Sequence, residues 1–323
     1  MKTPDFIRQI KRKIRKARRR LLFLPIELLI NAGLDKMAAR LGLFKPKLIR
    51  YLDGGLASQM IMFAKAYHYA LERNLPMYLD LHWYSVDGMD VLGVKNRQFL
   101  LFDLFPEIKK EYEDKIIHSH NLFQFLFSDD NKYSPDWLAP RSLYQKRYGG
   151  EIRCLLQHLD EMKRLFRFEI QLSEEEKHLA ERIDNTNSCA LDIRKGDFVG
   201  TVHDVCSDSY YINAITQMQK CVPDCIFYIF SNDEDYARNM VSSLDGNFVF
   251  IANRSEVQPG VDMWLMQRCK HAIISNSGFS LTPAILSYSS EKKVILPGKW
   301  NQTPAGNKIA KGHQLPGWDI IDC

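Results

Sequence analysis

Short apolar runs alternate with amphipathic stretches through most of this 323-residue chain. In the second half the runs are Cys189–Ile193, Ile226–Phe230, Phe248–Ile251, Ala272–Ser275 and Val294–Pro297. The stretches between them, Asp208–Gln219, Asp233–Ser242, Val261–Lys270 and Phe279–Leu286, fit helices. Strands alternating with helices predict a parallel sheet. A similar unit stands earlier. Leu48–Leu52 reads as a strand, Asp53-Gly54-Gly55 as a turn, and Met77–Leu81 as the next strand. Between them Met60, Phe63, Ala64, Tyr67 and Leu71 form the apolar face of a helix, with Ser58 as its expected cap. Asn74-Leu-Pro76 ends that helix. Residues 34–44 suit a short helix, and Ser173 with three following glutamates opens another, to about Ile183. No internal repeat stands out. The pattern predicts an α/β protein of two Rossmann-like domains facing a cleft, divided as 1–33, 34–172 and 173–323.

Composition narrows the class. Apolar residues make up 46% and charged residues 26%, ordinary for a globular chain. The net charge of +5 is unevenly placed. Residues 1–20 hold ten Lys/Arg and one acid, leaving 34 of the 44 basic and 38 of the 39 acidic groups to the rest. A mildly acidic body argues against a broad nucleic-acid surface. In the basic segment Phe6, Ile10, Ile14, Ala17 and Leu21 recur at helical spacing, which predicts a basic amphipathic helix able to lie on an anionic membrane surface through residues 1–30. A frayed basic tail or a nucleic-acid arm is the alternative. Pro25 and Glu27 interrupt the following apolar run, which is too short to span a bilayer and does not read as a secretion signal. Seven scattered cysteines read as reduced thiols of a cytosolic protein, and Cys221-x-x-x-Cys225 lacks the second pair that a zinc site wants.

The chemistry gathers where strands end. Ala190–Ile193 delivers Arg194 and Lys195 to a strand terminus, Gly196 turns the chain, and Asp197 stands beside the cations. Open parallel sheets bind ligands in that crevice. An Arg fork with a Lys point charge suits a diphosphate; the alternative is a solvated surface turn. Ser231-Asn-Asp233 ends the next strand, with Asp233 either receiving a guanine edge or capping a helix. Ser275-Asn276-Ser277-Gly-Phe279-Ser280 offers hydroxyls and a helix start to phosphate oxygens. His203, on the loop after the cations, is a candidate base or an exposed loop histidine. Asp262 reads as a possible helix cap. Gly54 and Gly55 permit a tight turn and close backbone approach. Trp83, Tyr84 and Trp137 are candidates for an acceptor pocket, although aromatics also build cores.

Six segments in order carry a family resemblance: Gly54-Gly-Leu-Ala-Ser-Gln-Met60, Asp192-Ile-Arg-Lys-Gly-Asp-Phe198, His203 to Tyr211, Phe230 to Asp233, Asp262 to Ser280, and Val294 to Trp300. Together they resemble the α-1,2-fucosyltransferases of glycosyltransferase family 11, over about Ile49 to Ile321. The resemblance implies a GT-B-like fold and inverting transfer of L-fucose from GDP-β-L-fucose to a galactoside, with no cofactor and no obligatory metal. It implies that Arg194 holds the diphosphate, that Ser277, Phe279 and Ser280 line the nucleotide site, and that Asp233 meets guanine. The full candidate set for the nucleotide sugar is Arg194, Lys195, Asp197, Asp233, Asn276, Ser277, Phe279, Ser280, Gly54, Gly55 and Gln59; Arg194 and His203 are the catalytic candidates. The chain departs from the family's usual pattern in having Asp192 for His, Lys195 for Arg, and Ala57-Ser58 for Gly-Asn. The expected acceptor is a glycan, such as a lipid-linked polysaccharide unit, reached by a cytoplasmic enzyme on the inner face of the membrane. The alternatives are another nucleotide sugar on the same fold, or an inactive membrane-surface binding protein.

Overall fold

The computed structural model describes residues 47–85, 97–117, 143–145, 152–252 and 258–323. The expected helices at 1–33 and 34–44, and Trp137, lie outside the described residues.

The first unit runs β1 (Leu48–Tyr51), α1 (Leu56–Glu72), β2 (Met77–Asp80), α2 (His82–Ser85), α3 (Leu101–Leu104), α4 (Pro106–Tyr112), β3 (Ile116–Ile117), β4 (Leu143–Gln145), α5 (Arg153–Gln157) and α6 (Leu159–Leu165). Helix α7 (Glu174–Asp184) leads into the second unit. There follow β5 (Asn187–Ile193), α8 (Asp208–Cys221), β6 (Cys225–Ser231), α9 (Glu234–Val241), β7 (Asn247–Phe250), α10 (Pro259–Arg268), β8 (His271–Ile273), α11 (Gly278–Leu286), β9 (Val294–Pro297), α12 (Gly306–His313) and β10 (Trp318–Ile321).

The strands form two parallel sheets, ordered β3-β2-β1-β4 and β10-β9-β8-β5-β6-β7. Counted within its own unit, the second sheet has the order 3-2-1-4-5-6 of the doubly wound dinucleotide fold. The first sheet repeats its first four places. This structural repeat is silent in the sequence because topology, not side-chain identity, carries it. In each sheet the order reverses at one point, between β1 and β4 and between β5 and β8. The crevice outside the carboxyl ends of the strands at such a point is where ligands bind.

Local chemistry sets the ends of the elements. Ser173 accepts from the Glu176 amide while the Glu176 side chain accepts from the Ser173 amide, the expected capping box. Helix α1 starts earlier than expected. Gly54 takes φ +74°, so the chain turns from β1 directly into the helix with Gly55 as its N-cap. Ser58 is therefore in the first turn and is not the cap. At the other end Asn74 takes φ +49°, a left-handed conformation that Asn tolerates, and the Leu75 amide closes on the Ala70 carbonyl at 2.9 Å. Asp262 is not a cap either. Helix α10 opens at Pro259, which holds the φ a first helical residue needs, and Asp262 lies buried in its first turn. The sixth strand and α12 went unread because the polar segment 301–317 obscures the alternation.

Alternation along β5 splits its two faces. Cys189, Leu191 and Ile193 pack on Tyr210, Tyr211 and Ala214 of α8. Ala190 joins the other, larger core, which runs continuously from Met60 and Phe63 of α1 to Leu281 and Ile285 of α11. The two units thus share apolar packing, and α1 lies against α11. Each of these helices follows the first strand, or the fourth, at a reversal point.

Burial holds two histidines neutral. His313 is 6% exposed, with its ring centroid 4.2 Å from that of Trp300, and desolvation pushes it down to about 4. His271 is pushed to about 4 by desolvation and then by Lys292, Lys270 and Lys293. The unfolded chain takes up these protons near the ordinary value of about 6.5 and the folded chain does not. Their contribution is therefore complete above about pH 6.5 and is lost as pH falls toward 4, up to roughly 3 kcal/mol for His313 alone. Urea unfolding at pH 7, 6, 5 and 4.5 should show a midpoint falling steadily below pH 6.5; a flat profile would contradict this.

Candidate functional site

At the carboxyl end of β5 the Arg194 side chain forks onto Asp197. Its Nε–H and one Nη2–H donate to the two carboxylate oxygens at 3.0 and 2.8 Å. These bonds use two of the five guanidinium donors and fix the plane that carries the remainder. The guanidinium carbon sits 5.2 Å from the centre of the Phe198 ring, and the Arg194 amide donates to the Tyr211 hydroxyl at 3.2 Å. Asn232, at the end of β6, locks the turn from the far side. Its Oδ1 accepts from the Lys195 amide at 3.0 Å, and its Nδ2 donates to Asp197 at 2.8 Å. Gly196 makes this approach possible: it takes φ +26°, and a Cβ there would stand 2.5 Å from Asn232 Nδ2. Asn232 is not among the sequence-predicted site residues; its place between a strand's last Ser and a helix-capping Asp is the signal that points to it.

Lys195 is also occupied. Its ammonium lies 3.2 Å from Asp204 and 5.2 Å from the Tyr236 ring centre. Each cation therefore carries its own carboxylate, and the site is closer to neutral than two adjacent cations suggest. Asp233 caps α9 by accepting from the Tyr236 amide at 3.1 Å, the second of its two expected roles.

Across the reversal point β8 is followed by Ile274-Ser275-Asn276. The Asp192 carboxylate, 5% exposed, accepts from the Ser275 hydroxyl and is hydrogen-bonded by Ser280. Desolvation raises its pKa, opposed by those bonds and by the charge of Arg194. Ser277 is the N-cap of α11, accepting from the Phe279 amide at 3.1 Å. This places the positive end of a nine-residue helix beside the Arg194 turn. Phe279 is half-buried against the large core.

The loop from Gly196 to Cys206 is pinned along its length. Gln302 donates its amide to the Val202 carbonyl at 2.8 Å and its side chain to the Asp204 carbonyl at 2.9 Å. Asn276 Nδ2 donates to the carbonyls of His203 and Trp300 at 2.8 and 3.0 Å, while its Oδ1 accepts from the Cys206 thiol. The Asn276 side chain is thus a buried tie and has no group left for a nucleotide. The His203 ring is 5.4 Å from that of Phe198; burial lowers its pKa against the opposing charge of Asp197, so it is neutral near pH 7.

Gly54, Gly55 and Gln59 belong to the equivalent edge of the first sheet. Gln59 is fully buried. Its amide donates to the Gly54 and Gln98 carbonyls and accepts from the Leu100 amide at 2.9 Å, so it positions the glycine turn and does not face a ligand. Tyr84 donates to the Gly54 carbonyl at 3.1 Å, and Trp83 is buried beside it. Both are scaffold here: Tyr84 spends its hydroxyl on the turn, and the Trp83 ring is packed against Tyr84, Ile49 and Tyr51. Arg97 approaches the turn, 3.9 Å from where a Cβ on Gly55 would stand.

The model of glycosyl transferase family 11 matches residues 142–322, the whole second unit and its approach. The chain belongs to that family. This family-11 glycosyltransferase is 29% identical over 279 residues to an alpha-1,2-colitosyltransferase of Escherichia coli, covering 77% of this chain and 90% of the relative. It is 27% identical over 300 residues to the O-antigen biosynthesis glycosyltransferase WbnK of Escherichia coli, covering 80% and 96%. Two solved structures share the fold, at TM-scores of 0.52 and 0.51 and 13% identity. They are NodZ alpha-1,6-fucosyltransferase co-crystallised with GDP and fucosyltransferase NodZ from Bradyrhizobium, each covering 75% of this chain and 93% or 94% of its own. The family-11 enzyme has no described helix long and apolar enough to cross a membrane.

Gly196 should be the least replaceable residue of the turn. Gly196→Ala should lower stability by about 1–3 kcal/mol, from backbone strain and displacement of Asn232. Thermal melting reads the loss, and a wild-type melting temperature in this variant would show that the turn accommodates a Cβ.

Proposed function

We propose that this enzyme transfers a 6-deoxy sugar, L-fucose in the first instance, from its GDP-β-linked donor to the 2-hydroxyl of a galactoside, with inversion. The two units then act as the two Rossmann-like halves of a GT-B-like enzyme, 34–172 on the acceptor side and 173–323 on the nucleotide side. The observation that carries this reading is the Arg194–Asp197 fork beside the N-terminus of α11, at the reversal point of a 3-2-1-4-5-6 sheet, in a family-11 chain. The expected occupant of that crevice is a diphosphate. As the sugar–phosphate bond breaks, negative charge grows on the departing GDP. In this reading Arg194, the helix amides near Gly278 and, on displacement of Asp204, Lys195 stabilise it without a divalent ion. Asp197 keeps the guanidinium in position before the donor arrives, so little reorganisation is needed during reaction. Phe279 is the candidate to meet the guanine, since Asp233 serves as the cap of α9. His203, neutral near pH 7, is the candidate base for the acceptor hydroxyl.

A second donor has a specific observation behind it: the relative at 29% identity is named for transferring colitose, which is fucose without one hydroxyl. The acceptor in either case is a glycan, such as a lipid-linked polysaccharide unit, and residues 1–30 are proposed to hold the enzyme against the anionic inner face of the membrane.

Release of GDP from GDP-fucose, GDP-colitose, GDP-mannose and UDP-sugars, with galactosides and in EDTA, tests the reading. Activity with GDP-fucose or GDP-colitose should persist in EDTA. Arg194→Ala should lose at least a thousandfold in kcat/KM while still unfolding in one cooperative transition. Preference for a UDP-sugar, loss of turnover on chelation, or an active Arg194→Ala variant would overturn it.

A further inference from the structure

Asp192 has no counterpart in the chemistry so far assigned. It is the last residue but one of β5, two residues before Arg194. Its carboxylate is 5% exposed and reaches across the reversal point. The Ser275 hydroxyl donates to its Oδ2, and the Ser275 amide and Ser280 side chain also hydrogen-bond it. Ser280 is in the first turn of α11. One carboxylate thus joins β5, β8 and the helix whose N-terminus faces the crevice. Arg194 is the positive group that acts on it. From α8, Tyr210 and Tyr211 feel its charge and are themselves held in the neutral form, chiefly by burial. β6 presents the apolar Phe230 opposite it in register, and β8 and α11 present hydroxyls.

Burial disfavours the ionised carboxylate, and only Arg194 and the hydrogen bonds counter that. A diphosphate gripped by Arg194 places two further negative charges near Asp192 and draws on the cation that supports it. Interactions between charges at such separations inside a protein are strong enough to move a proton. We propose that Asp192 is a positioning residue that becomes protonated when the donor diphosphate binds, remaining hydrogen-bonded to Ser275 and Ser280 in both states. The neutral acid keeps the latch between β5 and α11 while removing a repulsive charge from beneath the phosphates. This rests on the reading of Arg194 as the diphosphate grip.

The probe is GDP-fucose without acceptor, whose diphosphate diester stays doubly ionised across the range used. Calorimetry of the full chain at pH 6, 7 and 8, in two buffers of different ionisation enthalpy, reads the protons taken up on binding. The wild type should take up a substantial fraction of a proton at pH 7 or 8, and its affinity should fall as pH rises. In Asp192→Asn, which keeps His203 and the latch geometry, that uptake should disappear, and binding at pH 8 should be several-fold to about tenfold tighter than wild type. Buffer-independent binding enthalpy in the wild type would overturn the proposal, a result that does not require any variant to fold. So would equal uptake in wild type and Asp192→Asn, which would assign the proton to His203. If the wild type fails to bind GDP-fucose at millimolar concentration, the reading of the donor site itself falls.

Discussion

The bidentate bond between Arg194 and Asp197 is the interaction on which the site depends. A guanidinium at a strand end has many orientations open to it, and ordering a free Arg side chain at the moment of binding costs on the order of 2 kcal/mol of rotamer entropy. The fork removes most of that cost in advance. Asn232 then holds Asp197, Gly196 admits Asn232, and the Tyr211 hydroxyl holds the Arg194 amide. Substituting any one of these moves the guanidinium. The arrangement also explains why two adjacent cations do not make a strongly positive surface. Lys195 is paired with Asp204, and Asp192 lies beneath. Binding relies on preorganised donors and a helix end more than on long-range attraction.

The topology puts these donors together. In a 3-2-1-4-5-6 sheet the chain leaves β5 toward one face and β8 toward the other, so their carboxyl ends diverge and open a crevice. The Arg194 turn and the Ser275–Ser280 turn form its two walls, and Asp192 bridges its floor. A one-residue slip of β5 would send Asp192 to the α8 face, into a cluster of Tyr210, Tyr211 and Ile215 and away from Ser275 and Ser280. The register is thus fixed by polar as well as apolar burial.

The alternation of Cys189–Ile193, Ile226–Phe230 and Val294–Pro297 made the second sheet readable, and the order of strand-end polar residues made its crevice readable. The roles of individual residues were less accessible. Gln59 and Asn276 are candidate ligands by their place in the segments that carry the family resemblance, yet both are consumed by backbone carbonyls tens of residues away. No local pattern reports such distant partners. Ser58 looked like a cap because sequence spacing does not show that Gly54 adopts a left-handed turn. The repeat of strand order between the two sheets left no trace in residue identity, since any apolar residues of suitable size maintain it.

The central claim is that the donor's diphosphate sits between the Arg194 guanidinium and the N-terminus of α11. A crystal structure of the full chain with bound GDP tests it most directly. The account predicts phosphate oxygens within about 3 Å of Arg194 and of the amides at the start of α11, with the Arg194–Asp197 fork retained. A diphosphate bound elsewhere, or a fork that opens so that Arg194 turns away from it, would contradict the account.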